Sequence, residues 1–392
     1  MTWDEYGEVG NYVEKIKNLH ERVQSGLYRA LPSKRIYIPK ADGRQRPIGI
    51  AAIEDKIVQK AMVWVLEAIY EEDFHNFSYG FRPGRNQHKA LDAVWMAITN
   101  RKVGWILDAD IKGFFDNIDH QWMLKFLEHR ISDQRVLILI RKWLRAGVSE
   151  DGEWSKTKIG TPQGAVISPL LANIYLHYVL DDWLEWWRKE KGQGEVYIVR
   201  YADDFVVMCQ KYDDASRCWF ELSQRMKKFG LTLHPEKTRL IEFGRYAAQS
   251  REAKGKEKPE TFNFLGFTHM CATFPKSGNF TVRRQTIAKR MREKVKEIGQ
   301  LLRSKISEGL DAMGKWLRSV VNGYYNYHAI PDNYSSMSQF RDRVTEHWRR
   351  VLRRRSQKAK NNLTWAKMRQ IADKWLPRFT ARHPYPFKRL IV

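Results

Sequence analysis

Cysteine is the scarcest feature of this 392-residue chain: Cys209, Cys218 and Cys271 occur, scattered, and no others. Three dispersed thiols exclude a disulfide framework and a Cys-rich zinc module. The 11 histidines are spread along the chain without a His-x-x-x-His or His/Cys spacing of zinc type. A glycine-rich phosphate loop of the Walker kind is missing too, so hydrolase readings have no support in the motifs. No run approaches the roughly 18 to 20 apolar residues of a membrane helix. The opening, Met1-Thr2-Trp3-Asp4-Glu5-Tyr6, lacks the basic end and apolar run of a secretory leader. The expectation is a soluble, cytoplasmic protein with no membrane partner. Disorder is excluded as well, because 43% hydrophobic and 13% aromatic residues suffice to build cores. The length allows two or three domains.

Acid is in deficit. Lys and Arg number 69 against 45 Asp and Glu, a formal charge of +24. Residues 283–392 alone hold 27 Lys and Arg against 8 Asp and Glu, so most of the excess sits there. A solvated helical surface explains short charge runs. Here the basic residues alternate with Trp316, Tyr324, Tyr325, Tyr327, Trp348, Trp365 and Trp375. Cations meet phosphates, while aromatic faces pack in a core or stack on bases, so the region reads as nucleic-acid binding.

Along the chain, residues 34–40 and 46–50 predict two short strands around the turn Ala41-Asp42-Gly43. Ile57, Ala61, Val65 and Ile69 recur every four residues and predict a helix over 54–72. Residues 103–110 alternate as a strand, and 120–130 and 167–188 read as helices. Two apolar strands, 196–199 and 205–208, flank Tyr201-Ala202-Asp203-Asp204 in a hairpin pattern. Residues 213–229 predict a helix stopped by Gly230. The polar stretch 245–260 reads as an exposed loop. Residues 262–282 read as a hairpin turning at Pro275-Lys276-Ser277-Gly278-Asn279, and helices are predicted from about residue 285 onward.

Two acidic sites fall where strands end: Asp108-Ala109-Asp110-Ile111-Lys112-Gly113-Phe114-Phe115-Asp116 and Tyr201-Ala202-Asp203-Asp204. Alone, Asp-Asp at a hairpin tip is turn chemistry, and an Asp after a strand caps the next helix. Together they meet another demand. Magnesium takes hard oxygens, typically one or two carboxylates plus substrate phosphates. Two-metal phosphoryl transfer needs carboxylates converging from neighbouring strands.

These residues resemble a known family. Tyr201-Ala202-Asp203-Asp204 resembles the YxDD box of reverse transcriptases, and 110–116 resembles their first catalytic motif. Gly160-Thr161-Pro162-Gln163-Gly164 with Ser168-Pro169-Leu170-Leu171-Ala172-Asn173 resembles the motif that walls the nucleotide pocket. Leu231-Thr232-Leu233-His234-Pro235-Glu236-Lys237-Thr238 and Phe264-Leu265-Gly266-Phe267 resemble two later palm motifs. Tyr37-Ile38-Pro39-Lys40, Ile53-Glu54-Asp55-Lys56-Ile57-Val58-Gln59, Tyr79-Gly80-Phe81-Arg82-Pro83-Gly84 and Asn322-Gly323-Tyr324-Tyr325-Asn326-Tyr327 are similar to group II intron reverse transcriptase/maturases. The resemblance implies an α+β right-hand polymerase. It would comprise an N-terminal segment with some of the fingers (1–100), an antiparallel-sheet palm with the remaining fingers elements (101–282), and an all-α, basic thumb or maturase domain (283–392). Against that family pattern the N-terminus is short and the Cys- and His-rich endonuclease segment is missing.

The same resemblance implies the roles. Asp110 and Asp203 are assigned as ligands of two Mg²⁺ ions, with Mn²⁺ as a substitute, Asp204 as a third carboxylate and the Ile111 carbonyl as a further oxygen. Asp108 and Asp116 read as structural. Lys40 and Arg46 fall on the incoming triphosphate, or else are solvated hairpin cations. Phe115 reads either as the ring that blocks a ribose 2′-hydroxyl or as core, with Phe114 the second candidate. Gln163 lies against the nucleotide. Lys237 is the candidate acid for the leaving pyrophosphate. Phe264, Leu265 and Gly266 read either as a primer grip or, as part of an alternating strand, as core, and Arg353, Arg354, Arg355 and Lys358 read as RNA contacts. Expected partners are an RNA template, intron RNA, a DNA primer or target, and dNTPs, on a ribonucleoprotein or the nucleoid. The implied activity is RNA-directed DNA polymerisation together with intron splicing. Two alternatives stand beside it: an RNA-binding splicing cofactor, and a domesticated reverse transcriptase of phage defence or CRISPR spacer acquisition.

Overall fold

The computed structural model describes residue 6 and residues 12–39, 45–150, 153–155, 159–161, 164–275 and 277–389. By compactness the chain divides into two units, residues 1–90 with 105–240 and residues 91–104 with 241–392. This division cuts across the three expected domains: residues 91–104 join the later unit, and the later unit starts at 241.

In the first unit, β1 (Ser33–Pro39) pairs antiparallel with β2 (Gln45–Ile50), Lys34 facing Ile50 and Ile38 facing Arg46. The predicted turn between them lies outside the described residues. The predicted helix follows at Ile53–Tyr70. Next come β3 (Trp105–Asp110) and the short strands β4 (Val148–Glu150) and β5 (Glu153–Ser155). The latter two extend the first sheet in the order β2-β1-β4-β5. β6 (Val196–Tyr201) and β7 (Asp204–Cys209) form the predicted hairpin, and β3 lies antiparallel beside β7. The chain leaves this unit along β8 (Arg239–Glu242), the strand on the other side of β3.

Period-two alternation decides what β3 shows to each side. Leu107, Ala109 and Ile111 join Phe205 and Val207 of β7 and Ile198 of β6 in the core. Leu170, Leu171, Ile174 and Tyr175 join the same core from the helix Ser168–Leu176. Leu222 and Met226 come from the helix Tyr212–Lys228. Asp108 and Asp110 are thereby left on the opposite face. The single helix expected over 167–188 is interrupted: Ser168–Leu176 and Asp182–Glu190 are α-helical, and His177–Asp181 between them is a π turn. Helices His120–Arg130 and Gln134–Arg145 begin at Asp119 and Asp133, whose carboxylates accept the first free backbone N–H groups.

In the second unit, β9 (Phe262–Phe264), β10 (Phe267–Thr273) and β11 (Phe280–Thr286) form an antiparallel sheet. The stretch 245–260, expected to be an exposed loop, is largely exposed but contains the helix Ala247–Ala253. That helix buries little beyond Ala247. Side-chain bonds hold it instead: Ser250 donates to Glu242 at 2.5 Å and Lys254 at 3.2 Å.

Beyond β11 every described element is a helix: Ala288–Ser304, Leu310–His328, Tyr334–Arg353, Gln357–Asn362, Trp365–Trp375 and Pro386–Arg389. Met313, Leu317, Val321 and Tyr325 form one stripe at helical spacing. It meets Ile298, Leu302, Phe340, Val344, Trp348, Met368 and Trp375 in a separate core. Most aromatics interleaved with the basic residues therefore face inward. Trp348 and Tyr325 are fully buried, whereas Trp365 is 45% exposed. No helix among the described residues is long and apolar enough to cross a membrane.

Candidate active site

Register places the acidic pair. Asp110, the last residue of β3, faces Asp204, the first of β7, and Asp204 in turn faces Tyr201 of β6. Directly opposed residues share a face of the sheet, so the Asp110 and Asp204 side chains stand on the same side. Asp203 sits in the two-residue turn before β7. Ala202, its neighbour in that turn, has φ +57°, where two-residue hairpins usually carry glycine.

The backbone beside Asp110 is fixed from the other flank. His234 N–H donates to the Asp110 carbonyl at 2.7 Å, and Lys112 N–H donates to the Thr232 carbonyl at 2.9 Å. These bonds bracket the bridge between Ile111 and Leu233, so the peptide groups of Ile111 itself face the β7 flank. The Ile111 carbonyl is thus an oxygen on the acidic side.

Electrostatics ties these groups together. Lys237 Nζ lies 2.5 Å from Asp110 Oδ2. Burial raises the Asp203 carboxyl above the ordinary carboxylate range. Its own backbone N–H opposes the rise, the Asp110 charge adds to it, and the Arg46 and Lys237 charges oppose it. Asp203 therefore senses Asp110, the β2 cation Arg46 and Lys237 at once. Burial likewise pushes Asp108 up to about 6, with Arg239, 3.4 Å away, opposing the rise.

The remaining assigned residues separate by burial. Phe114 is 2% exposed and packs toward Tyr175, so it is core rather than a nucleotide contact. Phe115 is half-buried and keeps open surface. Its carbonyl accepts Thr161 N–H at 2.8 Å. Gly160, at φ +84°, packs on the backbone of Phe115 and Asp116, where a Cβ would crowd both carbonyls. Gly164 packs on Gly49 of β2 in the same way. The wall motif thus runs between the Phe115 turn and β2. Lys40 and Gln163 lie outside the described residues.

In the second unit, Phe264 is buried and offers no ring to a primer. Leu265 and Gly266 form the β9–β10 turn with φ +46° and +84°, and Tyr327 Oη donates to the Leu265 carbonyl at 2.8 Å. Of the basic cluster, Arg354 and Lys358 are exposed. Arg353 donates to the Lys360 carbonyl at 3.0 Å, and half-buried Arg355 to the Glu308 carbonyl at 2.5 Å. Arg355 is therefore spent on the fold, because its guanidinium holds the Glu308 carbonyl in the turn before the helix Leu310–His328 and meets Met313.

Histidines dispersed in sequence do meet in space. His75 Nε2 lies 2.8 Å and His177 Nε2 3.7 Å from Asp182 Oδ1. Among the described residues this is the one group of three ligand-type side chains gathered within 4.8 Å. The hydrogen bond to Asp182 raises His75, whereas burial lowers His177. Asp110, Asp203 and Asp204 are not gathered so closely. Magnesium does not require it: one or two carboxylates suffice when substrate phosphates complete the shell. The donors fit that mode, hard oxygens on one sheet face, with Asp110 and Asp203 in each other's field. Arg200 carries no assignment from the motifs, yet it is fully buried directly before the acidic turn. A cation inside an otherwise apolar strand is the signal that marks it.

The raised Asp203 carboxyl has a consequence for cation binding. Ionised Asp203 binds the cation, so protons compete increasingly as pH falls toward its raised pKa. The half-saturating Mg²⁺ concentration for primer extension should therefore rise as pH is lowered from neutrality into the acid range. A titration series that gives one value across this range would contradict the coupling.

A family model described as reverse transcriptase (RNA-dependent DNA polymerase) matches residues 38–269. The chain is 36% identical to Protein YkfC of Escherichia coli (strain K12) over 222 residues, 50% of this chain and 58% of that protein. It is 43% identical to the group II intron-encoded protein LtrA of Lactococcus lactis subsp. cremoris over 165 residues, 42% of this chain and 27% of that protein. The chain thus spans little more than half of one relative and about a quarter of the other. Among solved structures, its fold is similar to that of telomerase from Candida albicans. The TM-score is 0.50 at 14% identity, covering 88% of this chain and 62% of that one. The matched span takes in β3, the acidic hairpin and the wall motif and exceeds half the sequence, so the chain belongs to the reverse transcriptase family, with group II intron-encoded proteins among its relatives.

Proposed function

We propose that the chain is an RNA-directed DNA polymerase that adds dNTPs to a primer 3′-end, and that it also binds intron RNA as a splicing partner in group II intron mobility. One observation carries the polymerase reading: Asp110 faces Asp204 across β3 and β7, with Asp203 in the combined field of Asp110, Arg46 and Lys237. Asp110, Asp203, Asp204 and the Ile111 carbonyl would hold two Mg²⁺ ions, or Mn²⁺ in their place. Bound there, the ions would acidify the primer hydroxyl and neutralise charge on the phosphates.

The chain's own groups do the rest. Arg46 on β2 offers a planar fork to the triphosphate. The primer 3′-oxygen attacks the α-phosphorus, the bond to the bridging oxygen breaks and pyrophosphate leaves. Lys237, already within 2.5 Å of Asp110, is placed to give a proton to that leaving group. Phe115, set against the wall motif by the Thr161 bond, supplies the bulk that excludes a 2′-hydroxyl.

RNA binding rests on the later unit. Its basic excess is large, Arg354 and Lys358 are exposed, and Arg349 lies 4.4 Å over the half-exposed ring of Trp365. Phosphate contacts of this kind grip RNA without reading its bases. Acting on intron RNA, the protein would sit on a cytoplasmic ribonucleoprotein.

Asp110→Asn and Asp203→Asn should each abolish primer extension on an RNA template while leaving RNA affinity near wild type. Near-normal extension by either purified variant removes the two-metal assignment. Phe115→Ala should keep polymerisation and raise rNTP use relative to dNTP in single-nucleotide incorporation. Unchanged discrimination would return Phe115 to the core.

A further inference from the structure

Behind the acidic turn lies a buried polar cluster that touches none of the reacting atoms. Arg200, the residue before Tyr201, and Asp181, the last residue of the π turn, form a two-pronged ion pair. Nε to Oδ1 is 2.7 Å and Nη2 to Oδ2 is 2.5 Å, and both side chains are 0% exposed. Three further bonds employ the rest of the guanidinium. Nη1 donates to Asn173 Oδ1 and to the Ala202 carbonyl, each at 3.0 Å, and Nη2 donates to Ser78 Oγ at 2.7 Å. All five N–H donors of the fork are thereby employed. Asn173 passes the contact on, donating to the Gly80 carbonyl at 2.6 Å. Gly80 packs so closely on Ala202 that a Cβ there would overlap the turn's backbone. The Arg200 backbone is held as well, its N–H on the Phe77 carbonyl at 2.9 Å and its carbonyl on Tyr79 N–H at 2.8 Å.

The Ala202 carbonyl belongs to the peptide plane that ends in the Asp203 nitrogen. Because a peptide is planar, a bond to that carbonyl also orients the start of Asp203. Ala202 at φ +57° holds a left-handed conformation that is unfavourable for an L-residue with a Cβ, so something must hold it. From these contacts we infer that Arg200 is a positioning residue: with Asp181, Asn173 and Ser78 it fixes the Ala202–Asp203 peptide, and through it the carboxylate of Asp203. The inference rests on the polymerase reading for its consequence, but the placement of the turn can be measured without catalysis.

A buried ion pair broken on one side leaves an uncompensated charge and destabilises any fold, so single removals do not discriminate. Replacing both partners by apolar residues commonly restores stability. The test is therefore the double variant Arg200→Met with Asp181→Leu, which keeps a packed interior and loses the bond to Ala202. The unfolding temperature should fall only moderately, because no charge is left buried although Asn173 Oδ1, the Ala202 carbonyl and Ser78 Oγ lose a donor. Amides in peptides covering 201–205 should exchange hydrogen about tenfold faster than in wild type, with β3 unchanged. On an RNA template kcat should fall about 100-fold, while KM for dNTP stays within about threefold, as for a misplaced catalytic group.

A stable double variant that exchanges and turns over like wild type overturns the inference and leaves Arg200 a filler of the core. Should the double variant not fold, Arg200→Lys decides. It keeps the charge on Asp181 without the fork, and wild-type kcat and exchange there overturn the inference equally. Should wild type itself extend no primer, the polymerase reading falls, and exchange at 201–205 alone still judges the role of Arg200.

Discussion

The pairing of β3 with β7 in one register is the constraint on which the site depends. Leu107, Ala109 and Ile111 point into the core with Phe205 and Val207, and each large side chain among them contributes on the order of 1.5–3 kcal/mol by leaving water. A slip of one residue would take them out of that core and carry Asp108 and Asp110 into it. Apolar burial on one face therefore dictates where the carboxylates stand on the other. It also offsets the burial of Asp203, which raises that carboxyl most, and the repulsion from Asp110, which raises it further. Lys237 and Arg46 reduce that repulsion from two other elements, so the acidic face is held by a sheet on one side and by cations on the other.

How far this was legible in the sequence depended on range. The two hairpins and the helices over 54–72, 120–130 and 213–229 follow from local periodicity, and the structure has them at Ser33–Ile50, Val196–Cys209, Ile53–Tyr70, His120–Arg130 and Tyr212–Lys228. The acidic motifs could be located because strand ends and turn residues are local too. Burial is not local. Phe114 and Phe115 are adjacent aromatics with the same propensity, and packing against Tyr175 makes one core and leaves the other open. Phe264 was likewise indistinguishable from a surface strand residue. The His75–His177–Asp182 group draws on two distant segments, one of them a π turn that apolar spacing does not announce. The helix Gln134–Arg145 was legible but is not among the predicted ones: its buried residues Leu137, Ile140, Trp143 and Leu144 recur at helical spacing, with Arg141, Lys142 and Arg145 between and after them.

The basic region shows how one composition serves two purposes. Its aromatics drew attention as stacking platforms, yet Tyr325 and Trp348 fill the interior, and Tyr327 braces the β9–β10 turn. The cations divide as well. Arg355 holds the Glu308 turn, while Arg354 and Lys358 remain at the surface. Net charge points to a partner class, but the side chains available to a phosphate are those the fold leaves uncommitted.

The account stands or falls on whether the β3–β7 carboxylates hold the cations. The direct measurement is electron paramagnetic resonance of Mn²⁺ bound to the full chain with a primer–template and dNTP, the primer lacking its 3′-hydroxyl. About two tightly bound ions per chain are predicted for wild type, with clear loss in Asp203→Asn. Equal occupancy in wild type and variant would place the cations elsewhere and contradict the assignment.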